Sequence, residues 1–232
     1  MRSSGLHSEI LRYIIDNGFK PGDKLPTIQS ISKSLGISIA KMREELEIAR
    51  ALGIVEVKPG RGTRVIEYRF TPLVTLSALY AIGQDSVHFE HLRQLRNALE
   101  IAFWDEAVHN LKPADIATLR ELIASAQRRL AGQSIQVPAS EHRAFHLTLF
   151  SRLENPFVLG IIEAYWEAYE AFGLNLYFEL DYHRTVWDYH ERIVNAIEKG
   201  DIETGRRLLV EHMTLLGHRG AVTASESQVR FE

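Results

Sequence analysis

The sequence predicts a mainly α-helical protein in two parts, and three observations lead to that prediction. Between residues 20 and 66, two short helices, a Gly-containing break and a basic hairpin follow each other in the order of a winged helix-turn-helix. From residue 72 onward, helical periodicity prevails and almost no β signal appears. The charge also divides here: residues 1–66 carry 11 Lys and Arg against 7 Asp and Glu, a net of +4, and residues 67–232 carry 16 against 23, a net of −7. We therefore expect a basic head and an acidic helical body.

The composition narrows the class of protein. A chain of 232 residues with 45% hydrophobic and 25% charged residues is typical of a soluble globular protein of one or two domains. The absence of cysteine excludes disulfides and thiolate metal sites, so a metal would need His, Asp or Glu ligands. No run reaches the roughly 18 apolar residues of a membrane span, and the N-terminus lacks a signal-peptide core, so we expect a cytoplasmic protein with no membrane partner.

The head is punctuated by capping and turn residues. Thr27 is expected to cap a helix over 28–35 that Gly36 ends, and Ser38 to cap a second helix that runs to about residue 51. Strands over 54–57 and 63–66 follow, joined by the tight turn 58–62. In a helix-turn-helix the second helix enters the major groove of DNA, and a basic wing contacts phosphates or the minor groove.

The residues expected to contact DNA lie at the two caps, in the first turns of both helices and on the wing. Lys41 and Arg43 are the long hydrogen-bond donors at the start of the second helix. The full set is Thr27, Gln29, Ser38, Lys41, Arg43, Lys58, Gly60, Arg61 and Gly62. Because two heads span successive major grooves, we expect a homodimer on an imperfect palindromic operator of double-stranded DNA.

Two motifs, PGDKLP and PGRGT, flank the helices ISKSLGIS and REELEIARALG. Over roughly residues 6–66 this arrangement resembles the N-terminal domain of the GntR family of bacterial transcription regulators, which implies DNA binding. Arg43 matches an arginine of that family. Gln29 and Ile39 stand where the family usually has arginines, so the resemblance does not imply a common GntR operator.

Beyond the head we expect a linker and a helical bundle. The predicted domains are 1–67 for the head, 68–71 for the linker, 72–220 for the bundle and 221–232 for a flexible tail. The predicted helices of the bundle are 72–82, 86–110, 114–131, 137–153, 155–179, 182–199 and 202–218.

Four histidines of the bundle have a spacing that suits a metal site. His142 and His146 are four residues apart and share one face of a helix, while His190 and His212 lie on later helices. Without further context, such a pair is also compatible with a solvated helix surface. The segments EHRAFHLTLFSRLENP, YHERIVNAIEKGD and EHM resemble the metal-binding motifs of the FCD effector domain of the FadR subfamily.

The resemblance to the FCD domain implies a fold of six to seven helices, a metal ion and an effector pocket. The implied ligands are His146, His190 and His212, with His142 where the family has an Asp. Four imidazoles favour zinc or nickel and attract an anion, and the alternative is a three-histidine site from which His142 turns away. The resemblance also implies that Arg96 binds the carboxylate of a small organic acid, with Arg93 as a weaker candidate.

Three functions remain open on the sequence. The first is a ligand-responsive regulator, most simply a repressor that a small carboxylate releases from DNA. The second is a metal sensor, in which the ion itself is the effector. The third is a metal-dependent hydrolase, since HRAFH is similar to H-E-x-x-H, but Arg143 replaces the glutamate that would act as general base.

Overall fold

The computed structural model describes residues 5–132, 136–173 and 179–217. The chain divides into two compact units, residues 1–76 and 77–232. Over the described ranges it forms eleven α-helices and one two-stranded sheet, and helix α4 (Thr71–Gln84) contributes residues to both units. The expected limits of head, linker and bundle stay a prediction, and the expected tail, 221–232, lies outside the described residues.

The first unit is a winged helix-turn-helix. Its elements are α1 (Glu9–Asp16), α2 (Ile28–Leu35), α3 (Ile39–Ala51), β1 (Val55–Lys58) and β2 (Gly62–Val65). Thr27 caps α2 by accepting from the Ser30 backbone N–H at 3.2 Å, and Ser38 caps α3 by accepting from Lys41 N–H at 3.1 Å. Gly36 ends α2 in the left-handed region, at φ 67°. The predicted caps and stop are those of the structure.

One small core holds this unit together. The two strands are antiparallel, with Val55 opposite Val65 and Lys58 opposite Gly62. All three helices and both strands contribute apolar side chains to this core. The buried set is Ile10, Ile14, Leu25, Ile31, Met42, Leu46, Ala49, Val55 and Val65.

The second unit is an all-helical bundle. After α4 its helices are α5 (Val87–Ala102), α6 (Trp104–Asn110), α7 (Pro113–Ala131), α8 (Ala139–Phe150), α9 (Pro156–Ala171), α10 (Leu180–Glu198) and α11 (Ile202–Gly217). Helix α10 packs against α7 and α11, and α8 packs against α7. No helix among the described residues is both long enough and apolar enough to cross a membrane.

The single helix predicted over 86–110 is wrong, because the chain leaves helical geometry at Phe103 (φ −99°, ψ 9°). The next residue, Trp104, is fully buried, and its indole N–H donates to the Ile202 carbonyl at 2.9 Å. Gly205 lies so close to this ring that a Cβ there would approach it to 2.6 Å. The break accompanies a tight contact between Trp104 and α11, which periodicity along one segment does not reveal.

The helix predicted over 155–179 is too long. Helix α9 ends at Ala171, and Gly173 adopts φ 68°, a left-handed conformation that glycine reaches without strain. Residues 174–178 of that prediction lie outside the described residues.

Candidate metal centre and nucleic-acid interface

The first turn of α3 presents few cations. Arg43 is exposed and, among the described residues, its side chain has no hydrogen-bond or ion-pair partner. Lys41 is also exposed, but its Nζ lies 3.6 Å from a Glu44 oxygen and 3.4 Å from a Glu45 oxygen. The Glu45 carboxylate is buried and accepts the Ser8 hydroxyl at 2.6 Å. Lys41 is therefore held partly along its own helix, and Arg43 is the freer candidate for phosphate or base contact.

Ile39 adds an exposed apolar side chain at this surface. It begins α3 and keeps 42% of its surface exposed. Ile48 is similarly exposed, at 46%, but nine residues further along an α-helix is half a turn around the axis. The two isoleucines therefore occupy opposite sides of α3.

The other expected DNA contacts divide into free and engaged groups. Thr27 and Ser38 serve as caps, and Gln29 is exposed in the first turn of α2. On the wing, Gly60 and Gly62 adopt φ 71° and 83°, which allows the turn between β1 and β2.

The cationic side chains of the wing also divide into paired and unpaired groups. Lys58 pairs with Glu56 at 2.9 Å, and Arg64 donates to the Gly22 carbonyl at 2.7 Å. Arg61 is exposed, and its side chain has no partner in the described part of the chain. Its guanidinium is therefore free to contact a phosphate.

The four histidines meet inside the second unit. Helix α8 supplies His142 and His146, α10 supplies His190 and α11 supplies His212, and one ligand atom from each lies within 4.8 Å of all the others. The Nε2 atoms of His190 and His212 are 3.3 Å apart, and those of His212 and His146 are 3.4 Å apart. Nitrogens about 2.0–2.1 Å from a tetrahedral ion stand about 3.4 Å from one another, so these separations fit a zinc-like centre.

Burial keeps these imidazoles neutral. His146 and His190 have no exposed surface, and His212 and His142 have 1% and 7%. Burial, with a smaller contribution from nearby positive charge, lowers the pKa of all four well below the ordinary value of a histidine. Neutral imidazole is the form that ligates a metal, so the cluster is prepared for an ion near neutral pH.

The ring nitrogens of the four histidines are unequally satisfied. Nδ1 of His190 and Nδ1 of His212 are buried and have no hydrogen-bond partner among the described residues, and the same holds for Nε2 of His142. Nδ1 of His146 has two neighbours, Arg96 Nη2 at 2.7 Å and Glu100 Oε2 at 3.1 Å. Within the described chain, His146 is thus the histidine of the four that is anchored from outside the cluster.

Arg96 and Glu100 form a buried ion pair beside that histidine. Both lie on α5, and Arg96 Nε donates to Glu100 Oε1 at 2.6 Å. Arg96 is 1% exposed and Glu100 is fully buried, and the guanidinium lies over the Tyr165 ring at 5.0 Å. Burial raises the pKa of Glu100 to about 7, although Arg96 acts in the opposite direction. Arg96, expected to bind an effector, therefore reaches the cluster.

Sequence reasoning did not identify Glu100. The available signal was its position four residues after Arg96 on one helix, a spacing at which side chains meet. Arg93, the second effector candidate, forms two hydrogen bonds with Glu90, at 2.6 and 2.5 Å.

Aromatic rings enclose the centre. His190 stacks on Phe145 with 4.0 Å between centroids, Trp166 lies 4.8 Å from His142, and Trp187 lies 4.7 Å from His190. The indole nitrogens of both tryptophans and the Tyr165 hydroxyl are buried without a hydrogen-bond partner in the described ranges. A ligand with acceptor oxygens would satisfy such donors.

The residues beside His142 are engaged elsewhere. Glu141 pairs with Arg129 at 2.7 Å and accepts from Ser125 at 3.0 Å. Arg143 donates to Glu170 at 3.1 Å. Neither arrangement provides the general base that the hydrolase hypothesis requires. That hypothesis is wrong, because the relatives described next are transcription regulators.

Both parts of the chain match known protein families. Residues 3–65 match the family of bacterial regulatory proteins, gntR family, and residues 91–215 match the FCD domain. The chain is 26% identical to the HTH-type transcriptional regulator LutR of Bacillus subtilis over 87% of its own length and 93% of the relative's. It is 27% identical to the Uxu operon regulator of Haemophilus influenzae, over 88% and 77%. A solved GntR structure from Streptococcus agalactiae shares the fold at a TM-score of 0.64 and 16% identity, covering 89% of this chain and 94% of the other.

Adding a cation at the first turn of α3 should strengthen DNA binding. We expect Ile39→Arg to raise affinity for a DNA duplex and to steepen the plot of log affinity against log salt by about 0.9, the value for one further phosphate contact. Fluorescence anisotropy from 50 to 300 mM salt measures both. Ile48→Arg makes the same charge change on the opposite side of α3, and an equal steepening there would contradict this assignment of the DNA-facing side.

The buried histidines should make the second unit sensitive to acid. Because their pKa is lowered in the native state, the unfolded chain binds protons below about pH 6.5 that the native state does not. The free energy of unfolding therefore decreases as the pH is lowered. Glu100 opposes this with one group, because its raised pKa makes the native state bind a proton there between pH 7 and its unfolded value. Four histidines against one carboxyl leave a net uptake of about two protons on unfolding near pH 6.

Urea titrations of chelator-treated protein from pH 7.5 to 5.5 test this expectation. The free energy of unfolding should decrease steadily toward acid pH, and His109→Ala, at an exposed histidine, should behave like the unaltered protein. Stability that is flat or higher at pH 5.5 would be incompatible with neutral buried imidazoles.

Proposed function

This chain belongs to the GntR family of bacterial regulatory proteins and carries an FCD domain over more than half its length, and from that premise we propose a metal-dependent, carboxylate-responsive repressor. It is a DNA-binding transcription regulator. In our proposal a divalent ion, zinc or nickel, is held by His142, His146, His190 and His212. A small organic acid bound beside it then lowers the affinity of a homodimer for an imperfect palindromic operator.

The observation that carries this proposal is the convergence of imidazole nitrogens from three helices. Three Nε2 atoms within 3.4 Å of their neighbours, in a fully buried site, have few roles other than ligation or a shared hydrogen bond. Neutral nitrogen ligands suit borderline ions better than the oxygen-seeking magnesium or calcium. Four neutral ligands also leave the charge of the ion uncompensated, which favours an anion at any open position.

Hydrogen-bond donors beside the centre support a carboxylate effector. Arg96 has five N–H groups, and its described contacts with Glu100, Asn97 and His146 use three of them. The remaining N–H groups, together with the unpartnered indole nitrogens of Trp166 and Trp187, can donate to carboxylate oxygens. A guanidinium binds a carboxylate in a planar, two-point arrangement, which suits this role.

Coupling to DNA follows from the architecture of the family. Two heads read half-sites about one helical turn apart, so a small change in their separation alters affinity strongly. An effector shifts this equilibrium only if it binds the DNA-competent and the released states with different affinities. We infer that the acid binds the released state more tightly, and that the regulator acts in the cytoplasm, where operator DNA is found.

A metal-sensing function is the second candidate, and the number of histidines favours it. Four nitrogen ligands complete a tetrahedral shell, which is the pattern of a closed site with no position for a substrate or effector. If His142 ligates together with the other three, the ion itself becomes the effector. If His142 turns away, an open position beside Arg96 is left for the acid.

Loss of individual imidazoles should separate these two cases. We expect His146→Ala and His212→Ala to weaken zinc and nickel binding at least a hundredfold, measured by competition with a chromophoric chelator. His142→Ala should cause a comparable loss if it completes a closed shell, and less than a tenfold loss if three histidines hold the ion. His109→Ala serves as the exposed-histidine control, and unchanged binding by His212→Ala would remove the metal centre from the proposal.

Carboxylates should release the protein from DNA. With an operator selected from random duplexes, we expect acetate, succinate or citrate to lower DNA affinity in zinc-loaded protein and to do so less after Arg96→Gln, because the guanidinium that binds the acid is lost. Arg93→Gln, one turn earlier and already paired with Glu90, should retain more of the response. An affinity that follows free zinc and ignores every acid would favour the metal sensor, and acid-strengthened binding would make the protein an activator or a co-repressed regulator.

A further inference from the structure

We propose that Glu100 is a positioning residue for the metal centre: its carboxylate selects the form of His146 that ligates and controls whether Arg96 is free for the effector. This inference rests on the metal centre proposed above. It adds that Glu100 contacts His146 and that this contact strengthens metal binding. It concerns the fully buried group on α5 that lies between the guanidinium and the imidazole.

The first step is the contact between Glu100 and His146. Glu100 Oε2 lies 3.1 Å from Nδ1 of the ring. Arg96, bonded to Oε1, favours the ionised form of Glu100, which only accepts. In that form the contact requires a hydrogen on Nδ1, and a neutral ring then has its lone pair on Nε2. Nε2 is the atom that lies 3.4 Å from His212 Nε2, inside the cluster. A carboxylate on the outer nitrogen thus turns the inner nitrogen into a ligand and increases its basicity.

The second step is that Arg96 makes the opposite demand. Its Nη2 lies 2.7 Å from the same Nδ1, and a guanidinium only donates. When Nδ1 accepts from Arg96, the ring carries its hydrogen on Nε2, which then cannot ligate. The two contacts of one nitrogen therefore correspond to two tautomers, one competent for metal binding and one not.

The third step is that Glu100 controls both neighbours. Its Oε1 accepts from Arg96 Nε at 2.6 Å, so the carboxylate holds the competing donor with one oxygen and offers the other to His146. His190 and His212 have no comparable partner on Nδ1 within the described chain, so no second group duplicates this role. Among the four histidines, the ring orientation of His146 is therefore the one that this carboxylate sets.

A coupling between the two ligands follows. When His146 ligates through Nε2, its Nδ1–H donates to Glu100 and no longer accepts from Arg96. The Arg96 Nη2–H is then released for another acceptor, and a carboxylate effector provides one. Metal binding and acid binding should therefore strengthen each other through His146, with Glu100 as the group that both share.

Four substitutions test the role of Glu100, with zinc affinity as the readout. Glu100→Gln should weaken zinc binding at least tenfold, as loss of an outer carboxylate does at other sites. Glu100→Asp keeps the charge but withdraws the oxygen by one methylene, so it should also weaken binding. Arg96→Met removes the competing donor, and the folded variant, checked by circular dichroism, should lose less zinc affinity than Glu100→Gln does. Glu90→Gln is the control, since Glu90 also pairs with an arginine of α5, Arg93, but at a partly exposed position.

The outcomes discriminate between the possible roles of Glu100. If Glu100→Asp binds zinc like the unaltered protein, the carboxylate acts only through its charge and the proposal is overturned. If Arg96→Met weakens zinc as much as Glu100→Gln, the pair is merely structural and the proposal is overturned. Long-range ¹⁵N–¹H correlation spectra add a second readout, because they identify which nitrogen of His146 carries the hydrogen with and without zinc. A hydrogen that stays on Nδ1 in zinc-free protein would contradict the competing role of Arg96.

Further measurements distinguish a failure of this inference from a folding defect and from a failure of the proposed metal centre. If Glu100→Gln does not fold, because it leaves the buried Arg96 without a counter-charge, the double variant Arg96→Gln, Glu100→Gln replaces both charges by amides. It should bind zinc more weakly than Arg96→Gln alone, and equal affinities would overturn the inference. Failure of the unaltered protein to bind zinc would refute the metal centre itself, whereas binding that His212→Ala abolishes and Glu100→Asp leaves intact would refute only this inference.

Discussion

The second unit is organised by the burial of polar groups that ordinarily prefer water. Around the histidine cluster, the four imidazoles, the Arg96 guanidinium and the Glu100 carboxylate lie in the interior, together with the indole nitrogens of Trp166 and Trp187 and the Tyr165 hydroxyl. Each such group destabilises the fold unless it finds a partner, and several unpartnered ones are tolerated only where the surrounding helices are well packed. The packing of α7, α8, α10 and α11 therefore has to hold the ligand atoms together as well as exclude water.

Among these buried groups, Arg96 and Glu100 carry opposite charges and neutralise each other. A buried guanidinium without a carboxylate would destabilise the unit severely, and so would the carboxylate alone. The pair is attached to the histidines through one atom, His146 Nδ1, so side-chain hydrogen bonds link α5 and α8 at this point. A ligand that competes for either member of the pair acts directly on the contact between these helices.

The sequence predicted the elements whose signals are local. Thr27, Ser38 and Gly36 act as the caps and stop that their positions suggested, because capping depends on residues only a few positions apart. The four histidines were also identified in advance and do meet in space. Their convergence could be expected only by resemblance to a known domain, since helical periodicity says which face a residue occupies but not which helix it faces.

What the sequence did not reveal depends on contacts between distant segments. The break at Phe103 accompanies Trp104 packing against α11, about a hundred residues later. Glu100 resembles an ordinary i, i+4 partner of Arg96, and its role appears only when His146 is brought against it. Glu45, which pairs with Lys41, likewise accepts from Ser8, the N-cap residue of α1 and 37 residues earlier in the chain.

The tryptophans around the histidines give the centre an optical property. Trp166 lies 4.8 Å from the His142 ring and Trp187 lies 4.7 Å from the His190 ring, while Trp104, the third tryptophan, donates to the Ile202 carbonyl. Two of the three tryptophans therefore lie against the imidazoles, at distances where a change of neighbour alters their emission. Occupancy of the centre can be followed in the unlabelled protein by its own fluorescence, with Trp104 supplying a built-in background signal.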